Sequence, residues 1–232
     1  MKVIVTGASR GIGRGIAEVL GRGGFEVGLT ARSSEALEQV AEAVDGSGGR
    51  ACTAAADLRD PQQISAAIAS LIEQLGGVDA LINNAGVVIR KPTLEIEPEE
   101  WRAMIETNLN GVFYATRAVL DAMIEQGRGH IVNVSSISGY YPLPGGSGYA
   151  ASKYGVTGFS ESLMQEVRDH GVKVTTVFPG SVDSESHRHG EADHSWKLTP
   201  EEVGQTCRHV LETGRNNVIS RVEMRPLSRP PK

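Results

Sequence analysis

A tyrosine and a lysine stand four positions apart, at Tyr149 and Lys153, in a stretch whose pattern predicts a helix. Side chains at that spacing share one helix face, so the lysine ammonium would lie near the phenol. A nearby positive charge favours the phenolate and lowers the tyrosine pKa from about 10 toward neutral pH. A phenol tuned in this way can give a proton to a carbonyl oxygen or take one from an alcohol. Such pairs are also frequent on solvated helix surfaces, so the spacing alone does not establish a site.

A serine strengthens the case for a site. Ser136 comes directly after a predicted strand and before the helix that carries Tyr149. A hydroxyl in that position can donate a hydrogen bond to the negative charge that develops on a substrate oxygen. Ser135, its neighbour, is the competing candidate for this role.

A glycine-rich turn, Thr6-Gly7-Ala8-Ser9-Arg10-Gly11-Ile12-Gly13, joins the first predicted strand to the first helix. Three glycines let the backbone turn tightly and approach a pyrophosphate, whose charge would face the helix N-terminus. The spacing differs from the common dinucleotide fingerprint and from the P-loop, and incidental glycines are the alternative interpretation. The position at the first strand–helix junction favours phosphate binding, with candidate contacts at Gly7, Ser9, Arg10, Gly11, Ile12 and Gly13.

The elements that must position these groups alternate along the chain. Short apolar runs predict strands at Val3–Thr6, Val27–Ala31, Ala51–Ala56, Val78–Ile82, Ile131–Val134, Val172–Phe178 and Val218–Met224. Amphipathic stretches between them predict helices, among them Pro98–Gln126 (one or two helices), Ser147–His170 and Pro200–Glu212. This alternation predicts an α/β fold, a doubly wound parallel sheet of about seven strands with helices on both faces. In such a sheet ligands bind outside the carboxyl ends of the strands, and nearly all of the motifs fall there.

Length and composition narrow the class of protein. With 232 residues, 40% hydrophobic and 22% charged, the chain is typical of a globular protein, and we predict one domain over residues 1–232. Within it, residues 184–198 would form a substrate loop and residues 225–232 a loose tail. The net charge of −5 argues against a nucleic-acid or anionic-membrane partner. Two cysteines and the absence of a leader or long apolar run favour a cytoplasmic location.

Five short motifs, in order along the chain, resemble those of the short-chain dehydrogenase/reductase family. They are the glycine-rich octet, Asn83-Asn84-Ala85-Gly86, Ser135-Ser136, Tyr149-Ala-Ala-Ser-Lys153 and Pro179-Gly180-Ser181-Val182, and they span about residues 2 to 184. The resemblance implies hydride transfer between a nicotinamide cofactor and a small carbonyl or alcohol substrate. It makes Ser136, Tyr149 and Lys153 catalytic, with Ser136 preferred because the family places this hydroxyl three residues before a glycine, here Gly139. Asn108 would be the fourth member and would support a proton-relay water, while Lys153 would also hold the cofactor ribose.

Two arginines indicate which cofactor binds. The second strand ends at Ala31-Arg32 without a carboxylate, and Arg10 lies in the glycine turn. An acidic residue there would bind a ribose hydroxyl, whereas guanidinium groups would pair with a 2′-phosphate. We therefore predict NADP(H) rather than NAD(H), as the resemblance also does. The alternative is that both arginines are solvated surface residues.

The resemblance implies further cofactor contacts. Asp57, with the backbone of Leu58, would accept from the adenine amino group, although Asp57 could instead only cap a turn before Pro61. Towards the nicotinamide, Pro179 and Gly180 would pass over the ring, Val182 would reach the carboxamide, and Ser184 stands where the family usually has threonine. Asn83 and Gly86 would fix the floor beneath the adenosine, where Asn83 could equally give structural support or touch the ligand. Asn84 and Ala85, in the same motif, are further candidate cofactor contacts.

Several alternatives remain open. A nucleotide-sensing protein without turnover could use the same fold. Epimerase or dehydratase relatives are longer than this chain, and a nucleic-acid regulator would need a basic face. His187, His189 and His194 could suggest a metal, but we expect none because the ligand spacing is unsuitable. By resemblance the partner is a second copy, in a homodimer or homotetramer, although the Pro-rich C-terminus departs from tetrameric relatives.

Overall fold

The computed structural model describes residues 1–184 and 194–228, in which strands and helices alternate. The strands are β1 (Lys2–Thr6), β2 (Glu26–Ala31), β3 (Arg50–Ala55), β4 (Ala80–Asn83), β5 (Gly129–Val134), β6 (Val172–Pro179) and β7 (Arg221–Met224). The α-helices are α1 (Gly11–Arg22), α2 (Ser34–Gly46), α3 (Pro61–Leu75), α4 (Pro98–Ile105), α5 (Gly111–Glu125), α6 (Ser147–Val167) and α7 (Pro200–Leu211). A π-helical segment, Glu106–Asn110, joins α4 to α5. Short 3₁₀ turns cover Thr93–Glu95, Ile137–Gly139 and Arg168–His170.

The strands form one parallel sheet in the order β3-β2-β1-β4-β5-β6-β7. The order reverses at β1, which pairs with β2 on one side and with β4 on the other. The crevice at such a reversal, above the carboxyl ends of the strands, is where ligands bind in doubly wound sheets. The predicted α/β fold with about seven parallel strands is confirmed.

Helices cover both faces of the sheet, and alternate residues of each strand enter opposite cores. On β1, Val3 and Val5 join one core and Ile4 joins the other. The first core packs α1, α2 and α7 onto the sheet through residues that include Ile16, Leu37 and Val203. The second packs α3, α5 and α6 through residues that include Ile64, Val119 and Leu163. Strands that are buried on both faces read as continuous apolar runs, which is why the sequence pattern located them.

Capping residues set the starts of several helices. Asp60 accepts hydrogen bonds from the backbone N–H groups of Gln62 and Gln63, and Pro61 occupies the first turn of α3. This is the start that the Asp-Pro pair predicted. Ser33 caps α2 through a bond from the Ala36 N–H.

Some boundaries differ from the predicted ones. The strand predicted from Val78 begins at Ala80, because the left-handed Gly76 and Gly77 still turn the chain into the sheet. The last strand begins at Arg221 rather than at Val218. Before it, the Ile219 carbonyl accepts a hydrogen bond from the Thr175 side chain. The long helix predicted to His170 ends at Val167 and continues as a 3₁₀ turn.

The first residue of the predicted loose tail, Arg225, is bonded to the rest of the fold. Arg225 donates to the Tyr140 hydroxyl at 3.1 Å and pairs with Glu223. The tail residues from 229 onward lie outside the described ranges. Within those ranges, no helix combines the length and the hydropathy needed to traverse a lipid bilayer.

Candidate active site

Ser136, Tyr149 and Lys153 come together where β5 ends and α6 begins. Ser136 lies close enough to Tyr149 to lower the pKa of the phenol. Lys153 Nζ lies 5.9 Å from the centroid of the Tyr149 ring. The same Nζ donates to the carbonyl of Val134, the last residue of β5, at 2.9 Å. The strand end therefore fixes the lysine beneath the tyrosine.

The two neighbouring serines face different surroundings. Ser135 is buried, and its hydroxyl donates to the Lys153 carbonyl at 3.3 Å. Ser136 is only half-buried, and its oxygen accepts from the Ser138 N–H at 3.1 Å. A Cβ at Gly139 would lie 2.6 Å from the Ser135 oxygen, so only glycine fits there. Ser136 is thus the serine that can reach a ligand, whereas Ser135 supports α6.

Burial is the largest influence on the pKa values of Tyr149 and Lys153. It raises the pKa of Tyr149 above its ordinary value, while Ser136 and the positive charge of Arg90 act in the opposite direction. Burial also lowers the pKa of Lys153 to about 8, because the ammonium is enclosed. In this structure burial outweighs the groups that lower the pKa of Tyr149, which are Ser136 and Arg90. That Lys153 lowers this pKa stays a prediction.

Asn108 is fully buried in the π-helical segment. Its Oδ1 accepts from the Val87 N–H at 2.7 Å, and its Nδ2 donates to the Val87 carbonyl at 2.8 Å and to the Ser152 hydroxyl at 3.0 Å. A Cβ placed on Gly86 would lie 3.3 Å from Asn108 Oδ1 and 3.8 Å from Lys153 Nζ. Asn108 and Lys153 therefore face one small space beside Gly86, which is the arrangement that a shared water requires.

Sequence reasoning missed Ser152 as a member of this network. Its hydroxyl donates to the Tyr149 carbonyl at 2.7 Å and accepts from Asn108, so it links the fourth candidate to the helix that carries the tyrosine. The sequence did show a serine, Ser152, between Tyr149 and Lys153. Its role in the network could not be predicted, because the sequence does not show that Asn108 faces it.

The glycine turn is shaped for close backbone approach. Gly7 has φ +65°, and a Cβ there would lie 2.7 Å from the Ala85 Cα. At Gly13 a Cβ would meet the Gly7 carbonyl oxygen at 2.2 Å. Arg10 precedes α1 with extended backbone and no side-chain cap, which leaves the first N–H groups of the helix available to an anion. This cradle fits the pyrophosphate of a dinucleotide, and Ser9, Gly11 and Ile12 lie on its partly exposed surface.

Asn84 fastens the turn to the end of β4. Its Nδ2 donates to the carbonyls of Thr6 and Gly7 at 3.1 and 3.3 Å. The Thr6 hydroxyl in turn accepts from the N–H groups of Asn84 and Ala85. Asn83, by contrast, is buried and donates to Thr116 and Asn133. Asn83 therefore supports the site from inside the fold.

Arg10 lies in the glycine turn, and Arg32 directly follows β2. Both are exposed, and within residues 1–184 and 194–228 neither has an ion pair with a carboxylate. The charge of Arg32 makes a small contribution to lowering the pKa of Asp57. Two uncommitted guanidinium groups beside the turn fit a ribose phosphate.

Asp57 is engaged by its own turn. Arg59 donates from Nη2 at 2.5 Å, from Nε at 3.0 Å and from its backbone N–H at 3.0 Å. These bonds with Arg59 are the main cause of the lowered pKa of Asp57. Leu58 is buried against Gly111. The structure places Asp57 just after β3, as predicted. Asp57 also forms hydrogen bonds within its own turn, as the alternative interpretation expects.

Beyond β6, the chain forms the other wall of the crevice. The Gly180 N–H donates to the Met224 carbonyl at 2.8 Å, which ties the Pro179-Gly180 turn to the edge strand. Val182 bridges to Leu198, and the Ser184 N–H donates to the Val182 carbonyl. Both ends of the predicted substrate loop are thereby held together.

The histidine cluster is only partly described. His194 pairs with Asp183 at 3.2 Å, whereas His187 and His189 lie outside the described residues. Among the residues that the structure does describe, no group of three or more His, Cys, Asp or Glu side chains could hold a metal ion.

Comparisons with known proteins agree with this geometry. A model of the short chain dehydrogenase family matches residues 1–194. The 3-oxoacyl-[acyl-carrier-protein] reductase of Vibrio cholerae is 38% identical over 78% of this chain and 73% of its own length. The NADP-dependent 3-hydroxy acid dehydrogenase of Salmonella typhi is 34% identical over 98% and 96%. A metagenomic short-chain oxidoreductase solved with NADP superposes with a TM-score of 0.87 at 36% identity, covering 99% of this chain and 98% of that one.

Proposed function

The chain belongs to the short-chain dehydrogenase/reductase family, and on that basis we propose that it transfers a hydride between NADP(H) and a carbonyl or alcohol substrate. The proposed substrates are ketones, aldehydes and 3-oxo compounds for reduction, and the corresponding alcohols for oxidation. The observation that carries the proposal is the meeting of Tyr149 with Lys153, whose Nζ lies 5.9 Å from the ring centroid and is bonded to the end of β5, at the edge of the sheet where ligands bind. Relatives described as a 3-oxoacyl reductase and a 3-hydroxy acid dehydrogenase support the same class of reaction.

In the proposed mechanism, NADPH supplies the hydride that reduces the carbonyl carbon. Tyr149 is the acid, and its hydroxyl would donate a proton to the substrate oxygen as the hydride reaches the carbon. Ser136 donates a second hydrogen bond to the same oxygen as negative charge develops on it. Lys153, with a pKa of about 8, can hand a proton toward Tyr149 near neutral pH. Asn108 holds the space beside Lys153 through which that proton would be replaced.

The cofactor would be held along the same crevice. The turn from Gly7 to Gly13 would take the pyrophosphate, and Arg10 and Arg32 would take the adenosine 2′-phosphate. Lys153 would also bind the nicotinamide ribose. Crystallised relatives that contain NADP or NADPH support this cofactor.

Replacing Tyr149 by phenylalanine tests the reaction. We expect Tyr149→Phe to lower kcat by about 10²–10⁴ while NADPH binding persists, because only the proton donor is lost. NADPH absorbance would be followed with a panel of ketones, aldehydes, 3-oxo acids and 3-oxoacyl thioesters, alongside nucleotide binding by fluorescence. Tyr154→Phe is the matched control, since Tyr154 is an exposed tyrosine on the same helix.

Two outcomes would contradict this function. Equal activity in Tyr149→Phe and the parent would show that the Tyr149 hydroxyl takes no part in the reaction. Tight NADPH binding without turnover of any panel member would favour the alternative of a nucleotide-sensing protein.

The cofactor preference has its own test. We expect the double variant Arg10→Ala/Arg32→Ala to lose about 10- to 100-fold in kcat/KM for NADPH and little for NADH, because charge-assisted bonds to the 2′-phosphate are lost. Arg215→Ala, at another exposed arginine, is the control. An unchanged ratio of the two kcat/KM values would overturn the assignment.

We also propose that two copies associate through α5 and α6. Phe113 and Tyr154 are 49% and 45% exposed on these helices, and Phe113 packs edge-on against Phe159 at 6.2 Å. A Cβ at Gly158 would meet nothing within 4 Å, so this part of α6 is open to close approach. Gly148 and Gly155, by contrast, pack against Met104 and Leu109 within the chain.

A further inference from the structure

Ser136 begins a short turn, residues 136–140, that we call the serine turn. The Ser136 side chain caps the 3₁₀ segment Ile137–Gly139, and the Ser136 carbonyl accepts from the Gly139 N–H at 2.8 Å. The Tyr140 N–H donates to the Ile137 carbonyl at 3.1 Å. Because successive hydrogen bonds join Ser136 to Tyr140, the direction of the Ser136 hydroxyl depends on where Tyr140 is held.

Tyr140 is anchored to the last two strands of the sheet. Its ring packs edge-on against Phe178 of β6, with the two ring centroids 5.3 Å apart. Its hydroxyl accepts from Arg225 Nη2 at 3.1 Å, and Arg225 directly follows β7. Glu223 pairs with the same guanidinium and holds it beside the phenol. The far end of the serine turn is thus fixed by two contacts, one through its ring and one through its hydroxyl.

The chain at the end of β7 also supports the opposite wall of the crevice. The Gly180 N–H donates at 2.8 Å to the carbonyl of Met224, the last residue of β7. A Cβ on Gly180 would lie 3.0 Å from Cδ of Pro226 and 3.1 Å from Cδ1 of Ile137. We call residues 224–226 the C-terminal strap. It lies where the turn after β6 meets the serine turn, so it touches both walls of the crevice.

We propose that Arg225 is a positioning residue for the reaction: by holding Tyr140, it keeps the serine turn in place and aims the Ser136 hydroxyl at the substrate oxygen. The inference rests on the proposed function and adds the C-terminal strap to the support of the same site. A hydrogen-bond donor stabilises the developing charge only at the right distance, and a misplacement of about 1 Å can cost about 10²-fold in rate. Loss of Arg225 should therefore slow the chemical step and leave the glycine turn that would hold the cofactor unaffected.

The test is a double-mutant cycle between Arg225 and Tyr140. Arg225→Ala, Tyr140→Phe and the double variant would be assayed with NADPH and the panel compound that the parent reduces fastest, with kcat expressed per NADPH-binding site. Tyr140→Phe keeps the ring against Phe178 and removes the hydroxyl alone. We expect each single variant to lose about tenfold in kcat, and the double variant to lose no more than the single ones, because both changes remove the same bond.

Two further measurements separate positioning from a general loss of structure. KM for NADPH should stay within about twofold of the parent's value in all three variants, because the glycine turn is unchanged. Arg225→Lys keeps a positively charged donor that can bond to the Tyr140 hydroxyl, so it should restore most of the kcat that Arg225→Ala loses.

Arg208→Ala is the matched control, because Arg208 pairs with Glu212 at 2.8 Å at the end of α7. Its loss removes a similar surface ion pair and should leave kcat within about twofold of the parent's value. An unchanged kcat in Arg225→Ala, or losses that multiply in the double variant, would overturn the role of Arg225 and leave the proposed function standing. A loss confined to KM for NADPH would have the same meaning. If the parent reduces no member of the panel, the proposed function falls, and this inference with it.

Discussion

Gly86 leaves open the space that Asn108 and Lys153 share. A methyl group there would lie 3.3 Å from the amide oxygen and 3.8 Å from the ammonium nitrogen. Gly86 is absent from the glycines with positive φ, so its backbone accepts a side chain. The backbone can therefore carry a methyl group, whose closest contact would be the tight one with the Asn108 amide oxygen.

For Gly86→Ala we expect a kcat about 10- to 100-fold lower, with the melting temperature nearly unchanged. The added methyl group would exclude a water between Asn108 and Lys153 and shift the groups that position the proton. Steady-state kinetics and thermal melts would measure both quantities. Gly46→Ala is the control, since a Cβ there meets nothing within 4 Å. Full activity in Gly86→Ala would show that this space takes no part in the reaction.

Helices α5 and α6 present the apolar surface that a second copy would cover. Aromatic side chains at the surface are enriched at protein interfaces. Phe113 and Tyr154 meet that description, and the open position at Gly158 allows two helices to approach closely.

We expect the parent to be at least a dimer at micromolar concentration and Phe113→Asp to dissociate it. A carboxylate at the centre of an apolar contact would lose its hydration without gaining a partner. Light scattering after size-exclusion chromatography would give the masses. Leu94→Asp, at a fully exposed residue outside these helices, should keep the parent's mass. A monomeric parent would contradict the proposed interface.

Across the whole molecule, a buried histidine links the central sheet to its edge. His130 Nε2 bonds to the Thr175 hydroxyl at 2.7 Å, and that hydroxyl donates to the Ile219 carbonyl. Burial, with a smaller effect from the Lys173 charge, lowers the pKa of His130 to about 4. The fold thus prefers the neutral imidazole.

Because this pKa is lowered, the contribution of His130 to stability is complete above about pH 6.5 and is lost as the pH falls toward 4. The loss at pH 4 should be roughly 3 kcal/mol in the free energy of unfolding. Urea denaturation at several pH values would compare the parent with His130→Gln, which lacks the titrating ring. The variant should lose less stability on acidification, and an identical pH dependence would exclude His130 as the cause.

Much of the fold followed from apolar periodicity and from Gly, Asp and Pro signals. The start of α3 at Asp60-Pro61 is an example, because a cap is a local interaction. The meeting of Ser136, Tyr149 and Lys153 also followed, since parallel strands bring their carboxyl ends to one edge. The raised pKa of Tyr149 could not be predicted from the sequence, because it depends on the burial of the side chain. The influence of the Arg90 charge on the pKa of Tyr149 was not predicted either, since it arises only in the folded chain.

The five π-helical residues Glu106–Asn110 have a practical consequence for anyone who wishes to make this protein more heat-resistant. Such a segment holds one residue more than a regular turn, and deleting that residue would restore continuous i→i−4 bonding from α4 to α5. The same deletion would rotate Asn108 out of register with Val87 and Ser152. Thermostabilisation at this point would trade turnover for rigidity, so protein engineers should leave the irregular turn intact.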